Sequence, residues 1–325
     1  MKTQLTRRSM LAGLSSAAWA ALPGMSWAQT DRPIKFILPN ATGSGVDAIT
    51  RAAAPALGKA LGANVVVENQ AGASGVIGLQ ALAKNPPDGF TLSVVSNNVV
   101  IFPSVLKSLP FVMPGDFTPI AIVGSTPMVL VVNPQKVTAT NSREFIAQLK
   151  AKPDGYNFGS GGNGTILHLA AEMLEKSSGT EMIMVHYKGS GGALADLIGG
   201  QINMSFGTAP GLMQHIRNGK VIPIAVSSAQ RMAALPNTPS VAELLPGYDI
   251  NNWFGLFAPP KTPKPVVDRI YQAINKALSN PELSKKFGDE GFDIVGVPPD
   301  RFEKSFKQEI LYWQKFAKDN NLKIE

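Results

Sequence analysis

A chain of 325 residues that is 44% hydrophobic and 16% charged has the make-up of a soluble globular protein with room for two domains. With no cysteine it has no disulfide, no thiolate nucleophile and no thiolate-held zinc site. The formal charge of +7 comes from scattered Lys and Arg, with no basic stripe interleaved with aromatics, which argues against a nucleic-acid partner.

Residues 1–28 read as an export signal. Lys2, Arg7 and Arg8 precede a run rich in Ala, Leu and Met that ends at Ser26-Trp27-Ala28, a small-x-small cleavage pattern. The Arg7-Arg8 pair resembles the twin-arginine variant, with a Sec signal as the alternative. Three positive charges and no acid fall in this segment, leaving +4 from Gln29 onward, a weak field that suits small anions. The expected location is the periplasm.

Strand and helix patterns then alternate: strand 34–39, Ala-rich helix 46–61, strand 64–69, helix 76–85, strand 90–96. This predicts an α/β fold, a parallel sheet with helices on both faces. Residues 117–134, broken by Pro119, Pro127 and Pro134, read as two strands and not as a bilayer span. The alternation resumes with helix 142–151, strand 156–160, helix 165–176, strand 182–187, helix 192–200, strand 202–208, helix 211–219 and strand 221–227. From 246 to 265 the strands thin out, and helices 266–278 and 300–319 close the chain around strand 292–296. The terminal helix must dock, and the first α/β unit is its expected site. That gives a discontinuous first lobe, 29–130 plus 251–325, around a second lobe, 131–250, with two crossing segments as hinge.

Within YNFGSGGNGT, residues 156–165, Gly159, Gly161 and Gly164 match the G-x-G-x-x-G dinucleotide fingerprint. Such a site needs an acidic residue at the end of the next strand. Here that strand ends at Tyr187-Lys188 and Glu181 stands at its start, so no dinucleotide, and no other cofactor, is expected. What remains is physical: Ser160, Gly161, Gly162, Asn163, Gly164 and Thr165 can turn backbone N–H groups toward one point at a helix N-terminus, making an anion cradle. A plain strand-to-helix turn is the alternative. PNATGSGVD, residues 39–47, repeats the design after the first strand. Two such loops across a cleft would grip an anion with uncharged donors, sparing a buried arginine its desolvation.

Five stretches in register, ILPNATGSGVDAITR, VVVENQAGASGVIG, YNFGSGGNGTILHLAAEML, VHYKGSGGALADLIGGQINMSF and IAVSSAQRMAALPNTPSVAEL, resemble the solute-binding receptors of tripartite tricarboxylate transporters, the Bug family. The resemblance covers essentially the whole chain after the signal. It implies a periplasmic binding protein-like clam shell of two α/β lobes joined by a hinge, without enzymatic activity. It also implies one carboxylate pinched between Ala41, Thr42, Gly43, Ser44 and Asp47 of the first loop and 160–165 of the second, then delivery to a separately encoded membrane permease. The sequence departs from the family pattern at Asn40, where an aromatic is usual, at Ser44, where a glycine is usual, and at Val46, usually Thr or Ser.

Asp47 falls in a first helical turn, where its carboxylate can bind exposed N–H groups and stiffen the loop. Asn97 and Asn98, and Thr208 and Ala209, follow strands at their carboxyl ends and are expected at the cleft, with ordinary capping as the other reading. Trp253 and Phe254, in the crossover, would suit a cleft wall or pack the hinge. The histidines share no metal-site spacing, and no metal is expected; His168 should bond locally. The expected function is carboxylate capture by a monomeric receptor. The ligand could be a di- or tricarboxylate, an amino acid or an aromatic acid. Two rivals are an exported hydrolase using Ser160 and His168, for which no third orienting group is in evidence, and a ligand-presenting sensor subunit.

Overall fold

The computed structural model describes residues 32–319, so the expected export signal lies outside the described residues. The first α/β run is β1 (Ile34–Leu38), α1 (Gly45–Leu61), β2 (Val65–Asn69), α2 (Val76–Ala83), β3 (Thr91–Ser96) and α3 (Asn98–Val105), leading into β4 (Thr118–Val132). α1 illustrates why these segments form. Ser44 caps it by accepting the Asp47 N–H, and Gly62 closes it at φ +67°. Val46, Ile49, Ala53 and Leu57, spaced by three and four, form its buried stripe.

A second run follows: α4 (Ser142–Ala151), β5 (Asn157–Ser160), α5 (Ile166–Ser178), β6 (Ile183–His186), α6 (Ser190–Ile198), β7 (Met204–Thr208), α7 (Ala209–Arg217) and β8 (Ile222–Val226). The chain then returns through β9 (Asn251–Ala258), α8 (Lys264–Leu278), α9 (Pro281–Asp289), β10 (Asp293–Val297) and α10 (Pro299–Asp319).

The strands form one sheet in the order β2-β1-β3-β9-β4-β7-β5-β6, with β8 and β10 also paired to β4. β1 pairs in parallel with β2 and β3, and β5 with β6 and β7. The centre is antiparallel, contrary to the wholly parallel sheet expected. β9, the strand that sequence periodicity leaves inside a crossover, lies between β3 and β4 and runs against both.

β4 is also one strand where two were expected. Its stretch from Thr118 to Pro127 pairs with β9, and Met128–Val132 pairs with β7 and β8. The prolines are tolerated because Pro119 adjoins a register shift and Pro127 sits where the partners change, places where a missing N–H breaks no continuous ladder. β4 thus belongs to both halves of the sheet.

α10 lays Phe302 and Phe306, both fully buried, against Phe257 of β9, with ring centroids 5.0 and 5.1 Å away. At about 1.5–3 kcal/mol per buried aromatic, this apolar face holds an otherwise polar helix in place. The parallel strands of each half direct their carboxyl ends toward the starts of α1, α3, α5, α6 and α7.

Candidate functional site

The loop from β1 to α1 is pinned by Asp47. Its carboxylate accepts from the Gly43 N–H at 3.0 Å, from Asn69 Nδ2 at 3.0 Å and from Arg51 Nε at 2.8 Å. Asn69 also donates to the Asn40 carbonyl, tying the other end of the loop to β2. Asp47 is 4% exposed and its charge is matched by Arg51, so it shapes the loop without presenting a free anion. Gly43, at φ +80°, needs the left-handed conformation that glycine supplies freely.

The loop from β5 to α5 is equally self-contained. Gly162 sits at φ +125° and Gly164 at φ +68°. The Gly162 N–H donates to Ser160 Oγ at 3.3 Å and the Gly164 N–H to His168 Nδ1 at 3.1 Å. Thr165 caps α5, its hydroxyl donating to the Gly162 carbonyl at 2.8 Å and accepting the His168 N–H. The N–H groups of Gly162 and Gly164 are thus directed into their own loop, not toward a common external point as the glycine spacing suggested. His168 spends its ring on Gly164 and Glu172.

The two loop systems abut. Asn98 Oδ1 accepts the Ile166 N–H at 2.8 Å, and Ser74 Oγ donates to the Asn163 carbonyl at 2.9 Å. A side chain on Gly189 would meet Ala41 at 2.8 Å, one on Gly191 would meet the Thr42 carbonyl at 2.5 Å, and one on Gly211 would meet the Gly45 nitrogen at 3.1 Å. Glycine therefore lets the backbones approach. Ala73 and Ser74, at φ 45° and 57°, hold the left-handed region without being glycine, which sets the Ser74 hydroxyl against the opposite loop.

Between the loops lies a small cavity of about 30 Å³, walled by Asn40, Ser44, Gly45, Val46, Ser96, Asn98, Ile166, Leu167, Ser190, Thr208, Asn252 and Phe254. None of these twelve residues is charged. Ser44 and Gly45 mark the start of α1, Asn98 of α3, Ile166 of α5, Ser190 of α6 and Thr208 of α7. Gly45, Val46 and Leu167 are first-turn residues, whose N–H groups have no intrahelical acceptor. Five helix N-termini at one uncharged cavity make a field that favours an anion.

The residues singled out from sequence divide by position. Ser44, Asn98 and Thr208 stand on the cavity wall. Ala41 and Thr42 face the β6–α6 turn, and Gly43 is exposed. Gly161 lies near the Ser190 nitrogen, and Gly162, Asn163, Gly164 and Thr165 build the neighbouring loop. Asn97 donates to the Asn251 carbonyl at 3.1 Å, Ser160 is fully buried and Ala209 belongs to the core under α7. Trp253 is directed the other way: its indole donates to Glu309 at 2.8 Å and packs edge-on against Phe302. Burial raises the Glu309 carboxyl above its ordinary value, a shift the indole partly offsets. Asn40, Ser96, Ser190 and Asn252 were not anticipated on the wall. For Ser190 the signal was present, since KGSGG repeats the strand, glycine loop and helix design of the other two loops.

Residues 49–322 match the model of the Tripartite tricarboxylate transporter family receptor. Among solved structures, the chain is similar to the periplasmic binding protein BugD, at 29% identity and TM-score 0.86 over 91% of this chain and 99% of that one. It is similar to R. palustris Rpa4515 with adipate, at 27% identity and TM-score 0.84 over 89% and 97% of the two chains. MatC from Rhodopseudomonas palustris with bound malate gives 27% identity and TM-score 0.80 over 87% and 98%.

Proposed function

Since the chain belongs to the tripartite tricarboxylate transporter receptor family, we propose that it is a periplasmic receptor that captures a small carboxylate in the cavity between its loops and passes it to a separately encoded permease. The carrying observation is the meeting of five helix N-termini at a cavity with no charged side chain. A carboxylate there exchanges water for charge-assisted N–H and hydroxyl donors, each contributing about 1.5–3 kcal/mol, and no lysine or arginine has to be desolvated to meet it. Solved neighbours with adipate and malate support the ligand class.

The lobes we take to move are 29–130 with 251–325, and 131–250. Cross-loop bonds such as Asn98 to Ile166 exist only when the loops meet, so a ligand between them favours the closed form. Against the hydrolase alternative, Ser160 Oγ accepts from Gly162 while the His168 ring engages Gly164 and Glu172. A nucleophile and base need each other's hydrogen bond.

The test is a thermal-shift screen of carboxylates followed by small-angle scattering. A true ligand at 100 times its Kd adds about 2.7 kcal/mol of stability, decreases the radius of gyration and is recovered unchanged. Recovery of a converted product would overturn the receptor reading.

A further inference from the structure

The loop from β5 to α5 is held by the hydroxyls of Ser160, Thr165 and Ser74 and by the imidazole of His168, whose Nδ1 accepts the Gly164 N–H at 3.1 Å. Bonds to hydroxyls are indifferent to pH in the physiological range, and a bond to imidazole is not. The Gly164 donor fixes the tautomer. A backbone N–H can only donate, so Nδ1 carries no proton, and the one ring N–H sits on Nε2, 3.2 Å from Glu172 Oε1. A second proton would have to enter at Nδ1, setting N–H against N–H.

Gly164 has little room to give way. It stands at φ +68°, and a β-carbon there would run into Val105 of α3. Next in the chain come Thr165, the cap of α5, and Ile166 and Leu167 of the cavity wall, so displacing Gly164 displaces residues that shape the site. Glu172 is the charged group on the ring. Loop 160–165, Ser74 and α3, the elements that meet here, bring no charged or titratable side chain, while Glu175 and Lys176 lie farther along α5 and Glu181 beyond it. Resting on the receptor reading above, we propose that His168 is a positioning residue that makes capture pH-dependent: neutral imidazole holds the loop in its binding shape, and imidazolium releases the Gly164 N–H and loosens the grip.

The experiment titrates succinate, malate and adipate by calorimetry into the parent, His168→Asn, His168→Leu and Glu175→Gln at about pH 8 and about pH 5.5, across the usual range of histidine. Asn sets an oxygen where Nδ1 stood and takes up no proton there; Leu keeps bulk without an acceptor. On acidification the parent should lose about 2- to 10-fold more affinity than His168→Asn, the worth of one hydrogen bond. Protonation of the acids themselves is common to all four proteins and cancels. His168→Asn should bind near the parent level at the higher pH, and His168→Leu should bind weakly at both. Glu175, whose carboxyl is raised to about 7, titrates in the same span, and Glu175→Gln should keep the parent's fall. Hydrogen exchange at the Gly164 amide, read without ligand and corrected for its intrinsic rate, should quicken in acid in the parent and stay constant in His168→Asn. A fall in affinity that persists undiminished in folded His168→Asn, or that vanishes in Glu175→Gln, overturns the proposal and leaves the receptor reading intact. So does equal Gly164 protection in the parent and His168→Leu. Binding of none of the three acids counts against the receptor reading, and exchange at Gly164 then decides the role of His168 by itself, with protection independent of pH overturning it.

Discussion

Asn98 Oδ1 accepts the Ile166 N–H at 2.8 Å, so a residue at the start of α3 caps α5 across the cavity mouth. The bond joins segments that are distant in sequence and meets one of the N-terminal donors that α5 cannot satisfy itself. Asn98→Ala should lower the stability of the ligand-free protein by about 0.5–2 kcal/mol, the range for a lost helix cap. It should also raise the radius of gyration, because one closing contact is gone. Chemical denaturation and small-angle scattering read the two effects; a variant unchanged in both would mean that the bond does not hold the loops together.

Gly43 and Gly162 both adopt positive φ, but their surroundings differ. Gly162 faces Ser74 Oγ, 2.5 Å from where a β-carbon would stand, whereas nothing lies within 4 Å of the equivalent point on Gly43. Gly43→Val should cost about 1–3 kcal/mol from backbone strain alone. Gly162→Val should add the loss of the Ser74 to Asn163 contact and abolish carboxylate binding in a protein that still folds. Calorimetry on both variants compares them, and normal binding by folded Gly162→Val would reduce that loop to a turn.

Ser160 is fully buried and accepts the Gly162 N–H, so Ser160→Ala should destabilise the protein by about 0.5–1.5 kcal/mol, or more if that N–H is left without a partner. Carboxylate affinity should fall only through the loosened loop. An ester-hydrolysing activity present in the parent and absent in Ser160→Ala would restore the nucleophile reading.

Glu175 supplies a pH dependence. Burial in α5, reinforced by Glu172 and Glu181 and opposed by the Met182 N–H, pushes its carboxyl from 4.5 up to about 7. Between those values the folded protein holds a proton that the unfolded chain has released. Its contribution is therefore full below pH 4.5 and is lost as pH climbs through about 7. The melting temperature should fall across that window, and Glu175→Gln should flatten the fall. A rise with pH attributable to Glu175 would contradict this account of its burial.

The parts of the site legible in sequence are those with local causes. Ser44, Asp47 and Thr165 announce helix starts, and Gly43, Gly162 and Gly164 announce left-handed turns, because caps and positive φ are properties of a few adjacent residues. β9 was missed because NNWFGLFA becomes a strand only through pairing with β3 and β4, both far away in sequence. The same holds for Asn40 and Asn252, since no neighbouring residue signals that an amide will end at a buried wall without a partner. Trp253 invited a ligand-facing reading by its size, and its orientation is decided by Glu309, fifty-six positions on. The glycine cradle misled differently: its spacing gave the turn correctly but could not reveal that Ser160 and His168 would occupy its donors.

Because β4 supplies pairing edges to both halves of the sheet, neither half is a self-sufficient piece of the gene. A fragment ending at residue 130 would carry most of β4 without β7, β8, β9 and β10, and one beginning there would hold those four strands without most of β4. Such fragments would expose raw strand edges prone to self-association. Recombination that exchanges one half for a relative's must therefore carry β4 with its partners on both sides, which binds the inheritance of the two loop systems together.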